Sequence, residues 1–494
     1  MMKRILLATL IPFLAACGSG KKGETVRLSP IIEKALNDES SRFYADFSKF
    51  PAEKRNLPIG VFDSGTGGLT VLEVMLTIDQ IDNITGKPGS DGIPDFAGEN
   101  FTFMGDMANM PYGNYAAENK NEFFKELVVK DALFLLGNKY WLSAIDKEAG
   151  GVKEPSKIIV IACNTATAWG LNSIDTLLAK SNTGVKVIGV INAGVNALFR
   201  ALENGPAEDS VAVGVLATVG TIASDAYSRT IKEVKAKLGY PGEIRVVNHA
   251  CAGFAESVDM EKDFNDPSAT APRESYRGPE IGKTENDINL ELLRLYNFCF
   301  ENNALLVGTK DGKITEMQLN SAANYARFHL VNLLEKHRKS GSTVPLQHII
   351  LGCTHYPFLL DTLKTALQEI RDYKVNGQAI YRELVSDSLT FIDPAVFTAI
   401  ECYNTLRADN NLALRIEDGK VDAYISVPAY GLDADKLDGN GNLSYAYKYG
   451  REAGTEELST LFVPLSGRYI TKENMERLQA LVPNSYRKIT ENGN

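Results

Sequence analysis

Short apolar runs of strand length, each followed by a longer stretch with helical spacing, constrain this chain more than any other feature. They fall at Pro58 to Phe62, Phe101 to Met104, Lys157 to Ala162, Val185 to Val190, Val211 to Leu216, Ile244 to Val247 and His348 to Leu351. Runs such as Ile158-Ile159-Val160-Ile161 are continuous rather than alternating, the pattern of parallel strands covered on both faces. The expectation is an α/β fold with mainly parallel sheets, in which functional groups gather where strands end and helices begin.

Those strand ends carry compact polar motifs: Asp63-Ser64-Gly65-Thr66-Gly67-Gly68, Ala162-Cys163-Asn164-Thr165-Ala166 and Gly352-Cys353-Thr354-His355-Tyr356-Pro357. A further one runs from Gly105-Asp106 to Pro111-Tyr112-Gly113. Small residues and hydroxyls at such turns leave backbone N–H groups free to hold an anion such as a carboxylate. The glycine-rich turn is neither a P-loop, lacking Gly-Lys-Ser/Thr, nor a dinucleotide fingerprint, since Thr70 stands at the last glycine position. One strand-end cysteine would ordinarily be a small buried hydrophobe. Two at strand ends, each followed at once by polar residues that include a threonine, point to chemistry.

IGVFDSGTGG, MPYG, IACNTATA and LGCTHYP, in this order, resemble the motif series of glutamate racemases within the aspartate/glutamate racemase group. VGVLATVGTIASDAY, Val213 to Tyr227, resembles the segment that opens that family's second lobe, and the likeness extends from about Pro58 to about Ile400. The resemblance implies two similar Rossmann-like lobes with the active site in the cleft between them. It also implies cofactor-independent racemisation of an amino acid, with no cofactor and no metal. Carried over by motif, Cys163 and Cys353 are the catalytic pair, one thiolate removing the Cα proton while the opposing thiol returns one. Asp63 would support Cys163, and His355 would support Cys353. Asp63, Ser64, Tyr112, Gly113, Asn164, Thr165, Thr354 and His355 resemble the substrate-contacting residues.

The family's second-lobe acid has two candidates here, Glu256 and Asp259, because Cys251-Ala252-Gly253-Phe254-Ala255-Glu256-Ser257-Val258-Asp259 departs from the usual cysteine, prolines and acid. Cys251 itself reads as structural. Glutamate is the expected substrate, since aspartate racemases more often resemble Cys-Thr-Glu where this chain has Cys353-Thr354-His355; aspartate or another amino acid is the alternative. Hydantoin racemases and maleate isomerases share the fold and paired cysteines but lack the full series. A reading from another class is a non-catalytic, surface-anchored protein that binds amino acids or peptidoglycan fragments. Family members often pair, so a homodimer is consistent with the resemblance.

The first residues read as a targeting segment. Lys3 and Arg4 precede the apolar stretch Ile5 to Leu14, too short to span a bilayer. Leu14-Ala15-Ala16-Cys17 then resembles a bacterial lipobox, with Cys17 the lipidated residue and membrane anchor. The expected location is the cell envelope, on the periplasmic side or at the outer membrane, whereas glutamate racemases normally make D-glutamate for the cell wall inside the cell. A net charge of -10 with no basic run argues against nucleic acid as a partner.

The expected organisation is a signal peptide and lipobox over 1–17, a tether over 18–57 with a helix around Ile31 to Phe47, and a first lobe over 58–191 completed by 358–405. A second lobe would cover 192–357, and 406–494 would be an appended C-terminal segment. Thr85 to Glu99 and Met260 to Asn289, the insertion near 260–289, read as surface insertions. Tyr424 to Val427 and Thr460 to Val463 are candidate strands. Asp433 to Asn442 resembles a calcium loop with one residue too many and reads as a solvated turn.

Overall fold

The computed structural model describes residues 28–205, 209–284, 286–414 and 418–492. The expected signal peptide, Cys17 and the first part of the expected tether lie outside the described residues.

The apolar runs become the strands of two sheets. Numbered along the chain, they are β1 (Ile59–Asp63), β2 (Phe101–Gly105), β3 (Ile158–Ile161), β4 (Val187–Gly189), β5 (Ser210–Ala217) and β6 (Glu243–Ala250). A hairpin, β7 (Leu305–Lys310) and β8 (Lys313–Leu319), comes next, and then β9 (Leu346–Gly352), β10 (Val385–Ile392), β11 (Val421–Pro428) and β12 (Thr460–Pro464). Among the described residues the first sheet has the order β12-β11-β2-β1-β3-β4 and the second β10-β9-β5-β6. Every neighbour pair in both sheets is parallel except β11 with β12. In β1, β2 and β3 every residue is buried, which explains their continuous apolar sequence.

In the first sheet the chain runs from β1 to β2 on one side and returns to β3 on the other. In the second it runs from β5 to β6 and returns to β9. A crevice opens beyond the carboxyl ends of the strands at such a reversal. Asp63 ends β1, Cys163 follows β3, Thr218 follows β5 and Cys353 follows β9, so both reversals point their polar motifs into one cleft.

The segment set apart after residue 406 is built into the first sheet. Val421 to Ile425 lie in parallel register with Phe101 to Gly105, and Leu461 and Val463 join the same core as Ile59 and Val61. Tyr424 to Val427 and Thr460 to Val463 are strands, as their patterns suggest. The stretch 358–405 divides: β10 pairs with β9 of the second sheet, and the helix Pro394–Ala408 packs into the first-sheet core through Ala395, Ala399, Cys402 and Leu406.

At the N-terminal end the helix is shorter than expected, Pro30–Asn37, because Asp38 turns the chain by accepting the Ser40 N–H and hydroxyl. Its Ile31, Ile32 and Ala35 are buried against the first lobe, so this part of the tether is docked. The insertion near 260–289 is also more than a surface loop: Phe264 and Ile288 are buried in the second-lobe core, and Tyr276 is buried too. Among the described residues no helix is long and apolar enough to cross a membrane.

Candidate active site

The cleft closes around a cavity of about 140 Å3 lined by every residue that the motifs single out: Asp63, Ser64, Tyr112, Gly113, Asn164, Thr165, Thr354, His355 and the two cysteines. Close approach of the lobes depends on small residues. A Cβ on Gly67 would sit 2.4 Å from His355 Cε1 and 2.7 Å from Thr354 Oγ1, and one on Gly220 would sit 3.0 Å from the Gly113 Cα.

On the first-lobe side, Cys163 is the N-cap of the helix Asn164–Ser181. Its Sγ accepts the Ala166 N–H at 3.4 Å and lies 3.9 Å from Ser64 Oγ. Burial pushes this thiol up, and the nearby Asp63 and Cys353 add to that, against the Ala166 N–H. Asp63 is buried and accepts N–H bonds from Gly68 at 2.8 Å and Gly65 at 3.3 Å. Desolvation raises its carboxyl above the usual range, while the charge of His355 and those N–H groups oppose the rise.

Asn164 and Thr165 are fixed by the opposite lobe. Tyr227 donates its hydroxyl to Asn164 Oδ1 at 2.6 Å, and Thr165 Oγ1 lies 2.8 Å from Thr218 Oγ1 and 3.1 Å from Thr221 Oγ1. Tyr112 turns its ring into the core, where its hydroxyl meets Asp106 at 2.6 Å and Asp131 at 2.7 Å. One hydroxyl proton cannot serve two carboxylates. Burial, with Asp106 beside it, raises the Asp131 carboxyl well above its usual range, against the bond from Tyr112. Tyr112 and Gly113 thus offer the cleft their backbone rather than a phenol.

On the second-lobe side, Cys353 Sγ lies 3.4 Å from His355 Nδ1, and His355 Nε2 lies 2.8 Å from Asp259 Oδ2. Of the two candidate acids it is Asp259 that reaches the histidine; Glu256 lies on the cavity wall. Burial alone would lower His355, but Asp259 and Cys353 beside it raise it well above the usual imidazole range. Burial would likewise raise Asp259, yet His355 and Arg477 hold it below the usual carboxylate range. The opposed shifts favour the charged form of both partners, an imidazolium beside a carboxylate, with Nδ1 toward the sulfur.

Sequence reasoning did not single out Thr218, Thr221, Tyr227, Glu261, Arg277 or Arg477 as site residues. Thr218, Thr221 and Tyr227 sit within the VGVLATVGTIASDAY segment, so a signal was available. Glu261 and Arg277 reach the cavity from the insertion. Cys251 also lines it, and behind it His249 Nε2 and His329 Nδ1 lie 3.0 Å apart. His329 Nε2 is 3.1 Å from the Ala252 carbonyl oxygen, so the three ring nitrogens in these two contacts already have partners within the protein.

No family model matches the chain. The glutamate racemase of Staphylococcus epidermidis is 32% identical over 215 residues, covering 44% of this chain and 60% of the relative. The chain therefore spans about three fifths of that relative's length. The glutamate racemase of Oceanobacillus iheyensis is 26% identical over 336 residues (68% and 79%), and that of Geobacter metallireducens 26% over 400 residues (81% and 98%). Among solved structures, a Bacillus anthracis glutamate racemase superposes with a TM-score of 0.41 at 22% identity, covering 75% of this chain and 88% of that one. A Francisella tularensis glutamate racemase in complex with D-glutamate gives 0.40 at 20% identity, over 75% and 88%.

Proposed function

We propose that this chain, whose sequence relatives support membership of the glutamate racemase family, is a cofactor-independent isomerase that interconverts L- and D-glutamate. The observation that carries the reading is one cavity with two buried cysteines from opposite lobes, Asp63 beside one and the His355–Asp259 pair beside the other. Binding alone needs no such pair.

In this mechanism one cysteine, as thiolate, takes the Cα proton onto its sulfur while the opposing thiol gives its proton to the other face of the carbon. The product has inverted configuration, and the two sulfurs have exchanged protonation states. The roles reverse with the hand of the substrate. A Cα hydrogen beside a carboxylate is far less acidic than a thiol with a reference pKa of about 8.5, so the barrier must be lowered by placement and charge. Asn164, Thr165 and Thr354 supply donors to the α-carboxylate as negative charge grows there, and Asp63 with Ser64 receives the ammonium group. The backbone of Tyr112 and Gly113 takes the side-chain carboxylate.

Proton NMR of L-glutamate in D2O with the purified chain under reducing conditions tests this. Loss of the Cα proton signal with appearance of D-glutamate supports it, and faster exchange of aspartate would change the substrate. No exchange with any amino acid would sink the isomerase and leave an amino-acid-binding protein. We further propose that Cys17 is lipidated and tethers the catalytic domain to the cell envelope. Metabolic labelling with a fatty acid, lost in Cys17→Ala, is the expected result.

A further inference from the structure

The C-terminal helices are seated on the first lobe and send one side chain, Arg477, to the second. After β12 the chain forms the helices Lys472–Leu481 and Pro483–Asn492. Leu478, Val482 and Ile489 are buried in the first-lobe core. Glu73, on the first-lobe helix Leu69–Thr77, accepts four hydrogen bonds from the start of the last helix: the Asn484 N–H at 3.1 Å, the Asn484 amide at 2.7 Å, the Ser485 N–H at 2.7 Å and the Ser485 hydroxyl at 2.8 Å. A carboxylate at a helix N-terminus satisfies donors that would otherwise lack partners. From this platform Arg477 reaches the other lobe. Its Nη1 donates to the Val258 carbonyl and its Nη2 lies 3.1 Å from Asp259 Oδ1.

We infer that Arg477 is a positioning residue for Cys353, acting through Asp259 and His355. This rests on the racemase reading for its catalytic consequence, though not for its geometry. The Asp259 carboxylate has one oxygen on His355 Nε2 and the other on Arg477, so its plane is fixed from both sides. The planar fork of a guanidinium is what allows one side chain to hold Val258 and Asp259 together; an ammonium is a point charge without that fork. The side chains concerned are largely out of water, at 17% exposure for Arg477, 10% for Asp259 and 5% for His355. With Asp259 fixed, the imidazole ring is held with Nδ1 toward the sulfur. Asp63, Glu256 and Glu261 are further acids whose charge acts on His355 or Asp259, and none of them is bonded to the ring. Cys353, His355 and Asp259 belong to the second lobe while Arg477 is mounted on the first, so the chain of contacts is complete only with the lobes arranged as here.

The test uses the full chain with Arg477→Met and Arg477→Lys. Arg477→Met should lower kcat/KM for glutamate about tenfold or more, as removal of a histidine's outer partner does elsewhere. The loss must be equal in both directions, because the two substrates are mirror images in equilibrium. Iodoacetamide labelling at neutral pH, resolved by residue with mass spectrometry, should slow severalfold at Cys353 with Cys163 unchanged. Arg477→Lys should recover part of both losses. Combined with Asp259→Asn, Arg477→Met should cost little more than Asp259→Asn alone, since both act through one histidine. Unchanged labelling and activity, equal changes at both cysteines, or additive losses would each overturn the assignment. A wild-type chain that racemises nothing yet shows the Cys353-selective labelling change would instead sink the racemase reading and keep the contact's role.

Discussion

The two cysteines meet the same cavity from different kinds of surroundings. Cys163 is held by main chain: it caps its own helix, and Asp63 beside it is fixed by N–H groups of its own glycine-rich turn. Cys353 is held by a file of side chains, His355, Asp259 and Arg477, drawn from three distant parts of the sequence. A backbone-held group is set once the local turn forms. One held by side chains depends on packing between lobes and can be disconnected one residue at a time.

That contrast can be broken in order of expected effect. Cys163→Ser and Cys353→Ser should each reduce racemisation by about three orders of magnitude, since a hydroxyl is a far poorer acid–base group than a thiol. A chiral assay finding either variant active would remove the two-base mechanism. His355→Asn should cost about a hundredfold in kcat/KM. Ser64→Ala, on the Cys163 side, should cost about tenfold through the lost substrate contact, because its own contact with the sulfur, at 3.9 Å, is weak and the Ala166 N–H remains. Equal losses in steady-state kinetics would mean that the two sides are alike after all.

Gly67→Ala should destabilise the chain by about 1–3 kcal/mol, because its methyl group would press on the His355 ring and Thr354 where the lobes touch. Urea unfolding and a fall in activity together measure it. The smallest expected effect concerns acid. Burial drives His249 down to about 3 and His329 well below its ordinary value, so both are neutral when folded. Below pH 6.5 the unfolded chain binds protons that the folded chain refuses, and stability falls with falling pH. For His249 alone the loss is about 2 kcal/mol by pH 5. His249→Asn should flatten that slope in urea midpoints, and hydrogen exchange should find the second lobe opening before the first. An unchanged slope would rule out the buried pair as the acid-sensitive point.

Much of the fold was legible because its signals are short-range. The apolar runs gave both parallel sheets, and the polar strand ends gave the cavity lining. The placement of 358–405 and of the segment after 406 was not legible. A strand such as β11 carries the same Val and Ile signal whichever sheet it joins, so Tyr424 to Val427 could be read as a strand but not assigned to β2. The insertion near 260–289 was read from its Pro, Asp and Ser content, which does not reveal that Phe264 and Tyr276 are buried or that Glu261 and Arg277 face the cleft.

By itself the sequence determined the α/β alternation, the two strand-end cysteines, and Asp63 and His355 at their sides. Each of these is a matter of residues adjacent in the chain and of one strand turning into one helix. The tertiary structure alone decided that Asp259 rather than Glu256 meets His355, that the threonine hydroxyls of two lobes gather at Thr165, and that Arg477 closes the file behind Cys353. The Asp259–His355 contact spans 96 residues and the Arg477–Asp259 contact 218. No local pattern encodes contacts at that range; they exist only because packing two cores and docking the C-terminal helices brings those side chains within hydrogen-bonding distance.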